Sequence, residues 1–494
     1  MQTLKALSLS GRLGVAVLFL VTLSASAQTT PGEFTIAALP DTQIYAHLYP
    51  QIFTSQTQWI ADHAAEQNIQ LVVGLGDIVD GGGSLVQWQN ADLAYRTIDD
   101  KIPYVAAIGN HDYDKANPGG RTESTKNFNA YFGPQRYAGK SWYKGQYPAG
   151  SNENFYAIVT LAGKQYLILV LECFPRNAAL SWASAVIANH PGLDTIVVTH
   201  AYTYSDNTRM DRCYSNSAAS DGAGTDNDGQ QIWEKFASKY SQITMVLSGH
   251  VVQGDGTGHR TDLGVNGNIV NQMLSDYQAW TNGGNGYLRL ITVRPATNEV
   301  IVRTYSPFLD VWMTDSHNQF TVPYKNIGLA PGTGTITGRV RSSGACKGIQ
   351  GAIVSNGESS VATDLYGNFS LPASGPKGYK LNVTQPGSVS LTQSVSLLPG
   401  IAAPHVILSS PAGAITGIAM WQSVALPNAK VVLTGGALRI NISTTTAADG
   451  TFGFKTIANG SYTVTVTVPG TTNSMTTAIS VVGGVTSKLT MALN

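Results

Sequence analysis

The sequence predicts an α/β domain followed by two all-β sandwich domains. Three observations carry that reading. Apolar strand-like runs alternate with amphipathic helix-like runs across residues 28–330. Two composition breaks then end that regime, "GLAPGTGTITG" near Pro331 and "SSPAGAITG" near Pro411. After each break come short alternating segments separated by turn residues, a unit of about eighty residues that occurs twice.

The first element precedes the α/β region. Lys5 and Arg12 are followed by the apolar run Leu13–Leu23 and by Ala25-Ser26-Ala27 before Gln28. That order is expected of a signal peptide over residues 1–27, removed on export. The apolar run is shorter than the ~20 residues a helix needs to span a bilayer. The mature protein is therefore expected to be secreted, periplasmic or at the cell surface.

Within residues 28–330, helix-compatible patterns cover Phe53–Asn68, Leu85–Asp100, Leu180–Asn189 and Gly229–Tyr240, with Asp228 placed as the N-cap of the last. Near the end, "GYLRLITV" and "EVIVRTYS" flank "RPATN" and read as an antiparallel hairpin.

The tail units span 333–410 and 413–494. Ile336-Thr337-Gly338 aligns with Ile415-Thr416-Gly417, and "ATDLYGNFSL" with "TTAADGTFGF". Alternation such as Tyr462, Val464, Val466, Val468 argues half-buried strands. With the "TD-x-x-G-x-F" turn and the Y-x-V-x-V strand, these units resemble carboxypeptidase-regulatory-like β-sandwich modules. They contain no cluster of metal ligands or nucleophiles, so spacing, stability, or contact with a cell surface or glycan is expected of them.

Composition narrows the function classes. Hydrophobic residues make up 43% of the 494 and charged residues only 12%, against about 25% charged in ordinary soluble proteins. Net charge is zero, so neither polymeric nucleic acid nor an anionic membrane is an expected partner. The cysteines are Cys173, Cys213 and Cys346. The first two fall in one expected domain and are the expected pair, leaving Cys346 free. No Cys-x-x-Cys spacing indicates a thiolate zinc site.

The chemistry sits where strands end. "FTIAALP" leads to Asp41-Thr42-Gln43, "LVVGLG" to Asp77 and Asp80, and "YVAAIG" to Asn110-His111-Asp112. "TIVVT" leads to His200 and "TMVLSG" to His250. One Asp after a strand is ordinarily a turn residue or a helix cap, and one His an ordinary hydrogen-bonded side chain. Five strands in order, each delivering such a residue, point instead to one site at the carboxyl ends of a sheet. Carboxylates, a carboxamide and imidazoles suit two divalent ions from among Mn, Fe, Zn and Mg.

"GDIVD" (76–80) and "GNHD" (109–112), with "PDTQ", "VVTH" and "SGH", make residues 28–330 similar to the calcineurin-like metallophosphoesterases. The resemblance implies a four-layer αββα fold and hydrolysis of a phosphate ester by a metal-bound hydroxide. It implies that Asp77 bridges two metals, that Asn110, His200 and His250 complete the second site, and that Asp41 binds the first. It implies His111 near the leaving group, as proton donor or charge stabiliser, with Asp80 and Asp112 orienting their neighbours.

Two positions depart from the pattern. The family's Asp-x-His is Asp41-Thr42-Gln43 here, and its Gly-His-x-His ends in Val252. Both losses fall on the first metal, which keeps Asp41, Asp77 and an oxygen of Gln43. That site is expected to be oxygen-rich, weaker, and selective for Mg, Mn or Ca. Gln253, Asp255 and His259 are the candidates to replace the lost ligand.

Four further segments attract a reading. "DGAGTDNDGQQ" (221–231) has the aspartates of a calcium loop without the Glu an EF-hand needs. "GGNG" (283–286) precedes a strand and reads as a turn. "MLSDYQAW" (273–280) is either core or cleft lining. Ser205–Ser220, with Arg209 and Arg212, is either solvated surface or a substrate-facing loop. The expected function is metal-dependent hydrolysis of a small-molecule, glycan or lipid phosphate ester. The alternative is a catalytically weakened binding or adhesion protein on the same fold.

Overall fold

The computed structural model describes residues 30–493 except 115–123, 214, 222, 224–225, 343–345, 385–390, 400–404, 411, 436–439, 459 and 482–485. The expected signal peptide lies outside the described residues. Part of the 221–231 segment does too.

Residues 34–323 contribute fourteen strands among the described residues. In chain order they are β1 (Phe34–Leu39), β2 (Ile69–Gly74), β3 (Tyr104–Ala106), β4 (Tyr143–Tyr147), β5 (Asn154–Leu161), β6 (Lys164–Leu171) and β7 (Asp194–Thr199). Then follow β8 (Ile243–Ser248), β9 (Thr257–Leu263), β10 (Ile269–Ser275), β11 (Leu288–Arg294), β12 (Glu299–Ser306), β13 (Val311–Met313) and β14 (Phe320–Pro323). The helices are α1 (Gln43–Leu48), α2 (Pro50–His63), α3 (Leu85–Arg96), α4 (Lys126–Phe132), α5 (Asn177–Asn189) and α6 (Gly229–Ile232).

Two sheets form. The first runs β13-β12-β11-β1-β2-β3, with β14 also on β12. The second runs β4-β5-β6-β7-β8-β10-β9. In the first, β1, β2 and β3 are parallel; in the second, β6, β7, β8 and β10 are parallel. These strands read as near-continuous apolar runs because both of their faces are covered.

Strand β6 shows how the layers stack. Ile168 and Val170 pack into one core with β1, β2, α2 and α3, while Leu167, Leu169 and Leu171 pack with α5 and Trp233–Phe236. Successive side chains point to opposite faces, so the second sheet lies between the first sheet and a helical layer. The order is αββα, two sheets face to face with helices outside.

Helix boundaries move a few residues from their expected places for local reasons. Pro50 starts α2 ahead of Phe53 because its fixed φ suits a first turn, and α2 ends at His63, with Asn68 left-handed at φ 51. Past α6 the helix becomes a π-helical turn over Trp233–Ala237. The hairpin forms as expected, Arg294 opposite Glu299.

Residues 332–410 and 412–493 each form two facing sheets whose strands connect alike, the second unit adding a short strand at Val424–Ala425. The repeated glycines have a physical cause. Gly338 pairs across strands with Phe369, and Gly417 with Phe452. A Cβ would stand 2.6 Å from the Phe369 ring and 2.3 Å from the Phe452 ring. Each glycine leaves room for the ring its partner lays over it.

The cysteine pairing differs from expectation. Cys213 bonds Cys346 across 133 residues of sequence. Cys173 is a buried thiol packed with Phe174, Ala201 and Leu274. The reason is spatial. The loop between β7 and α6 crosses to the first sandwich, where Asp211 also ion-pairs with Arg341. The same sandwich meets β9, the edge of the second sheet, and Leu263 N donates to Ser396 Oγ at 2.6 Å.

Arg209 is neither solvated surface nor substrate-facing. It is buried over the Trp233 ring, and its Nη2 lies 2.5 Å from Asp262 Oδ2, which also receives Arg260 Nε at 2.7 Å and Gln272 Nε2 at 2.8 Å. Burial alone would raise the Asp262 pKa, but the two guanidiniums hold it below the carboxylate range. Burial and Arg260 push Arg209 down to about 10. Asp262→Asn leaves two buried guanidiniums uncompensated and is expected to cost about 3–5 kcal/mol at pH 7. Because the folded pKa is depressed, this contribution is present above the unfolded value and is lost as pH falls through the folded one. Calorimetry of the α/β transition at pH 7 checks the magnitude.

Candidate metal centre

Asp41, Asp77 and His250 each follow the carboxyl end of a strand, β1, β2 and β8 respectively. All three adopt left-handed backbone, with φ of 36°, 46° and 78°. That conformation is costly for residues with a Cβ and concentrates at functional sites. Asn110, His111 and Asp112 form a single 3-10 turn after β3, and His200 follows β7.

The preceding glycines make the convergence possible. A Cβ on Gly76 would lie 2.4 Å from His200 Nδ1, on Gly109 2.1 Å from Asp77 Oδ1, and on Gly249 2.0 Å from Asp41 Oδ2. The Gly-Asp, Gly-Asn and Gly-His pairs of the sequence are therefore a packing requirement. Each glycine makes way for a side chain delivered by another strand.

Hydrogen bonds fix the tautomers. His200 Nδ1 lies 2.9 Å from Leu75 O, a carbonyl that only accepts, so Nδ1 carries the proton and Nε2 a lone pair. His250 Nε2 faces Asn216 O at 2.9 Å and Asp221 Oδ2 at 3.1 Å, so its Nδ1 carries the lone pair. Those two lone-pair nitrogens are 3.1 Å apart. Asn110 Oδ1 is 3.1 Å from His200 Nε2, and Asp77 Oδ2 is 3.3 Å from it. Four acceptor atoms thus converge around one point, which is repulsive unless a cation sits among them. Ligand atoms of Asp77, His200 and His250 all lie within 4.8 Å of one another, a donor set that fits a divalent ion.

The neighbouring position is richer in oxygen. Gln43 Nε2 donates to Asp77 Oδ2 at 3.0 Å, so the amide nitrogen, not the oxygen, faces that carboxylate. Asp41 Oδ1 accepts from His250 N at 2.9 Å. Asp41 Oδ2 and Gln43 Oε1 are buried with no hydrogen-bond partner, the state expected of oxygens that await a cation.

His111 is the part-exposed member, with 20% of its side chain open. Its Nδ1 is 2.8 Å from Asp80 O, its backbone N donates to Asp77 Oδ1 at 2.9 Å, and its Nε2 is 4.0 Å from Asp77 Oδ2. Burial would lower its pKa, but Asp77 and Asp80 outweigh that and raise it. Asp80 Oδ2 also meets His47 Nδ1 at 3.0 Å. Asp112 accepts from Val79 N at 3.0 Å and Gly109 N at 2.8 Å, tying the second motif to the third. Burial and the Asp77 charge push Asp112 up to about 8. Burial would also raise Asp77, and only positive charge beside it, from protonated His200, His111 and His250, pulls it below the carboxylate range.

Residues 34–254 match the family model for calcineurin-like phosphoesterase, and residues 418–494 that for carboxypeptidase regulatory-like domain. The first of these matches falls on the α/β domain and takes in all five strand-end motifs. The uncharacterized protein YvnB of Bacillus subtilis is 32% identical over 286 residues, 56% of this chain and 20% of that protein. The chain thus matches about a fifth of that relative's length. Among solved structures, purple acid phosphatase PPD1 of yellow lupin superposes with TM-score 0.38 at 14% identity, covering 59% of this chain and 55% of that one. GAP50 of Plasmodium does so with TM-score 0.34 at 13% identity, covering 59% and 89%.

Other expected phosphoesterase residues lie elsewhere. Gln253 bonds Asn216, Asp255 bonds His317 and Thr257, and His259 stacks on Phe320 at 3.9 Å. Gly286 N donates to the Tyr45 hydroxyl, so "GGNG" is a turn packed under α1. In the 221–231 segment, Asp221 faces His250 while Asp228 Oδ1 accepts from Ala218 N. Sequence reasoning did not single out Asn216, Asp221, His47 or Asp276. Asp276 had a signal, since "NQMLSD" repeats the pattern of an apolar strand ending in a carboxylate.

Proposed function

We propose that this protein is an exported phosphoesterase that hydrolyses a phosphate mono- or diester at the centre built from Asp41, Gln43, Asp77, Asn110, His200 and His250. The observation that carries this reading is the convergence of lone pairs from Asp77, Asn110, His200 and His250, with His111 alongside. Two divalent ions of the Mn, Fe, Zn or Mg class would supply Lewis acidity and an activated water there.

The chain's own groups divide the remaining work. Asp77 would serve both positions, since its Oδ2 lies beside His200 Nε2 and accepts from Gln43 Nε2. Asn110, His200 and His250 hold the second position, and Asp41 and Gln43 the first. Leu75 O and Asn216 O keep the imidazoles in the ligating tautomer. His111, whose side chain is partly open to solvent, gives a proton or a hydrogen bond to the departing oxygen. Asp80 orients His111, and Asp112 ties the two motif turns together.

The substrate class is a small-molecule, glycan or lipid phosphate ester. Zero net charge argues against a polymeric nucleic acid. Export is supported by the amino-terminal pattern and by the Cys213–Cys346 bond, which an oxidising compartment preserves. The tail sandwiches would hold the enzyme at a cell surface or glycan. A second reading, a binding protein on this fold, is favoured by Gln43, whose amide nitrogen faces Asp77 where the family pattern has an imidazole.

His111→Ala separates the two readings. Turnover of an aryl phosphate ester should fall by about 10²–10³-fold, while bound metal measured by plasma mass spectrometry stays unchanged. Loss of metal without a specific loss of turnover would remove His111 from the chemistry.

A further inference from the structure

The first metal position lacks two imidazoles, and none of Gln253, Asp255 and His259 reaches it. One buried carboxylate outside the motif set follows the strand next to β8. Asp276 directly follows β10, which runs parallel to β8 with Leu274 opposite Ser248. Asp276 and His250 thus follow the carboxyl ends of neighbouring strands, and the His250 backbone N–H holds Asp41. Asp276 is 1% exposed. Among the described residues its carboxylate receives bonds from Gln278, N at 3.0 Å and Nε2 at 3.1 Å.

Three further observations connect Asp276 to the site. Its charge, with that of Asp77, adds to burial in raising the Asp41 carboxyl above its ordinary range. The chain after His250 is pinned to it, since Asp276 N donates to Gly256 O at 2.7 Å and a Cβ on Gly256 would lie 1.8 Å from Asp276 O. Val252 lies between His250 and this bond. Finally, Asp41 Oδ2 and Gln43 Oε1 are buried without partners. Among the described residues, no Lys or Arg ion-pairs with Asp41, Asp77, Asp112 or Asp276. Four buried carboxyl groups without a Lys or Arg partner are unstable unless protons, imidazolium groups or metal cations neutralise them.

Resting on the phosphoesterase reading, we propose that Asp276 stands in for the absent histidine as a third carboxylate of the first metal position, beside Asp41 and Asp77. The site becomes all-oxygen and takes a hard divalent ion such as Mn(II), Mg(II) or Ca(II). The carboxylate replaces a neutral imidazole, so the first position gains a negative charge where the second keeps nitrogen.

Equilibrium dialysis of the full chain against Mn(II), with bound ion counted by plasma mass spectrometry, tests this without any activity assay. Wild type should bind two ions. Asp276→Asn should weaken one of them by more than about a hundredfold, beyond the 10–100-fold typical of outer-shell partners, and leave the other intact. His200→Ala should lose the opposite ion. If Asp276→Asn does not fold, Asp276→Glu keeps the charge, moves the oxygens, and should change the affinity of that ion alone. Two ions bound by Asp276→Asn, or by Asp276→Glu, with unchanged affinity would overturn the role of Asp276 alone. A wild type that binds no ion would overturn the phosphoesterase reading with it.

Discussion

Asp77→Asn is expected to lower phosphate-ester turnover by on the order of a thousandfold, the upper end for removing one preorganised electrostatic group, and to empty both metal positions. The reason is the number of roles one carboxylate fills. Oδ2 lies 3.3 Å from His200 Nε2 and accepts from Gln43, while Oδ1 accepts from His111 N. An amide of the same shape would turn an N–H toward the His200 lone pair and satisfy it without an ion. Metal content and turnover, measured on the same sample, should fall together. In His111→Ala they should separate.

The second large effect concerns the tether. Cys346→Ser, or reduction, removes a cross-link that closes 133 residues, worth up to about 5 kcal/mol of loop-closure entropy. Because each sandwich has its own core, the loss should appear as separation of the domain transitions rather than as global unfolding. In calorimetry the first sandwich should melt earlier, and protease should cut between residues 324 and 342. Cys213 lies three residues before Asn216, whose carbonyl fixes the His250 tautomer. Loosening that loop should also weaken the ion at the second position by about 10–100-fold. Unchanged calorimetric traces in oxidised and reduced protein would show that Asp211–Arg341 and the β9 contact suffice to dock the sandwich.

What was legible in the sequence follows from the reach of each physical constraint. Asp77, Asn110 and His250 are readable because each is preceded by a glycine that another side chain requires, Gly76 by His200, Gly109 by Asp77 and Gly249 by Asp41. A contact between distant strands is thereby written into adjacent residues. The tail repeat is readable for the same reason, through Gly338 and Phe369 or Gly417 and Phe452.

Features that depend on loops crossing between layers have no such signature. Arg209 sits in a polar stretch and yet is buried, because Asp262 meets it from 53 residues further along. Cys213 pairs outside its own domain because its loop leaves the sheet edge. Asn216 and Asp221 act on His250 from a segment whose composition reads as solvated. Asp276 lies between these cases. Its strand is apolar and its position is the usual one, but without a preceding glycine it resembles an ordinary turn aspartate.

The most direct test of the central claim is turnover of bis(4-nitrophenyl) phosphate and 4-nitrophenyl phosphate by chelator-stripped chain as Mn, Mg or Zn is returned. Turnover of one of these esters should be absent in the stripped protein and should rise with bound metal until two ions per chain are held. Full metal binding with no turnover of either ester, or turnover that the chelator leaves untouched, would contradict the assignment of this centre as a metallophosphoesterase site.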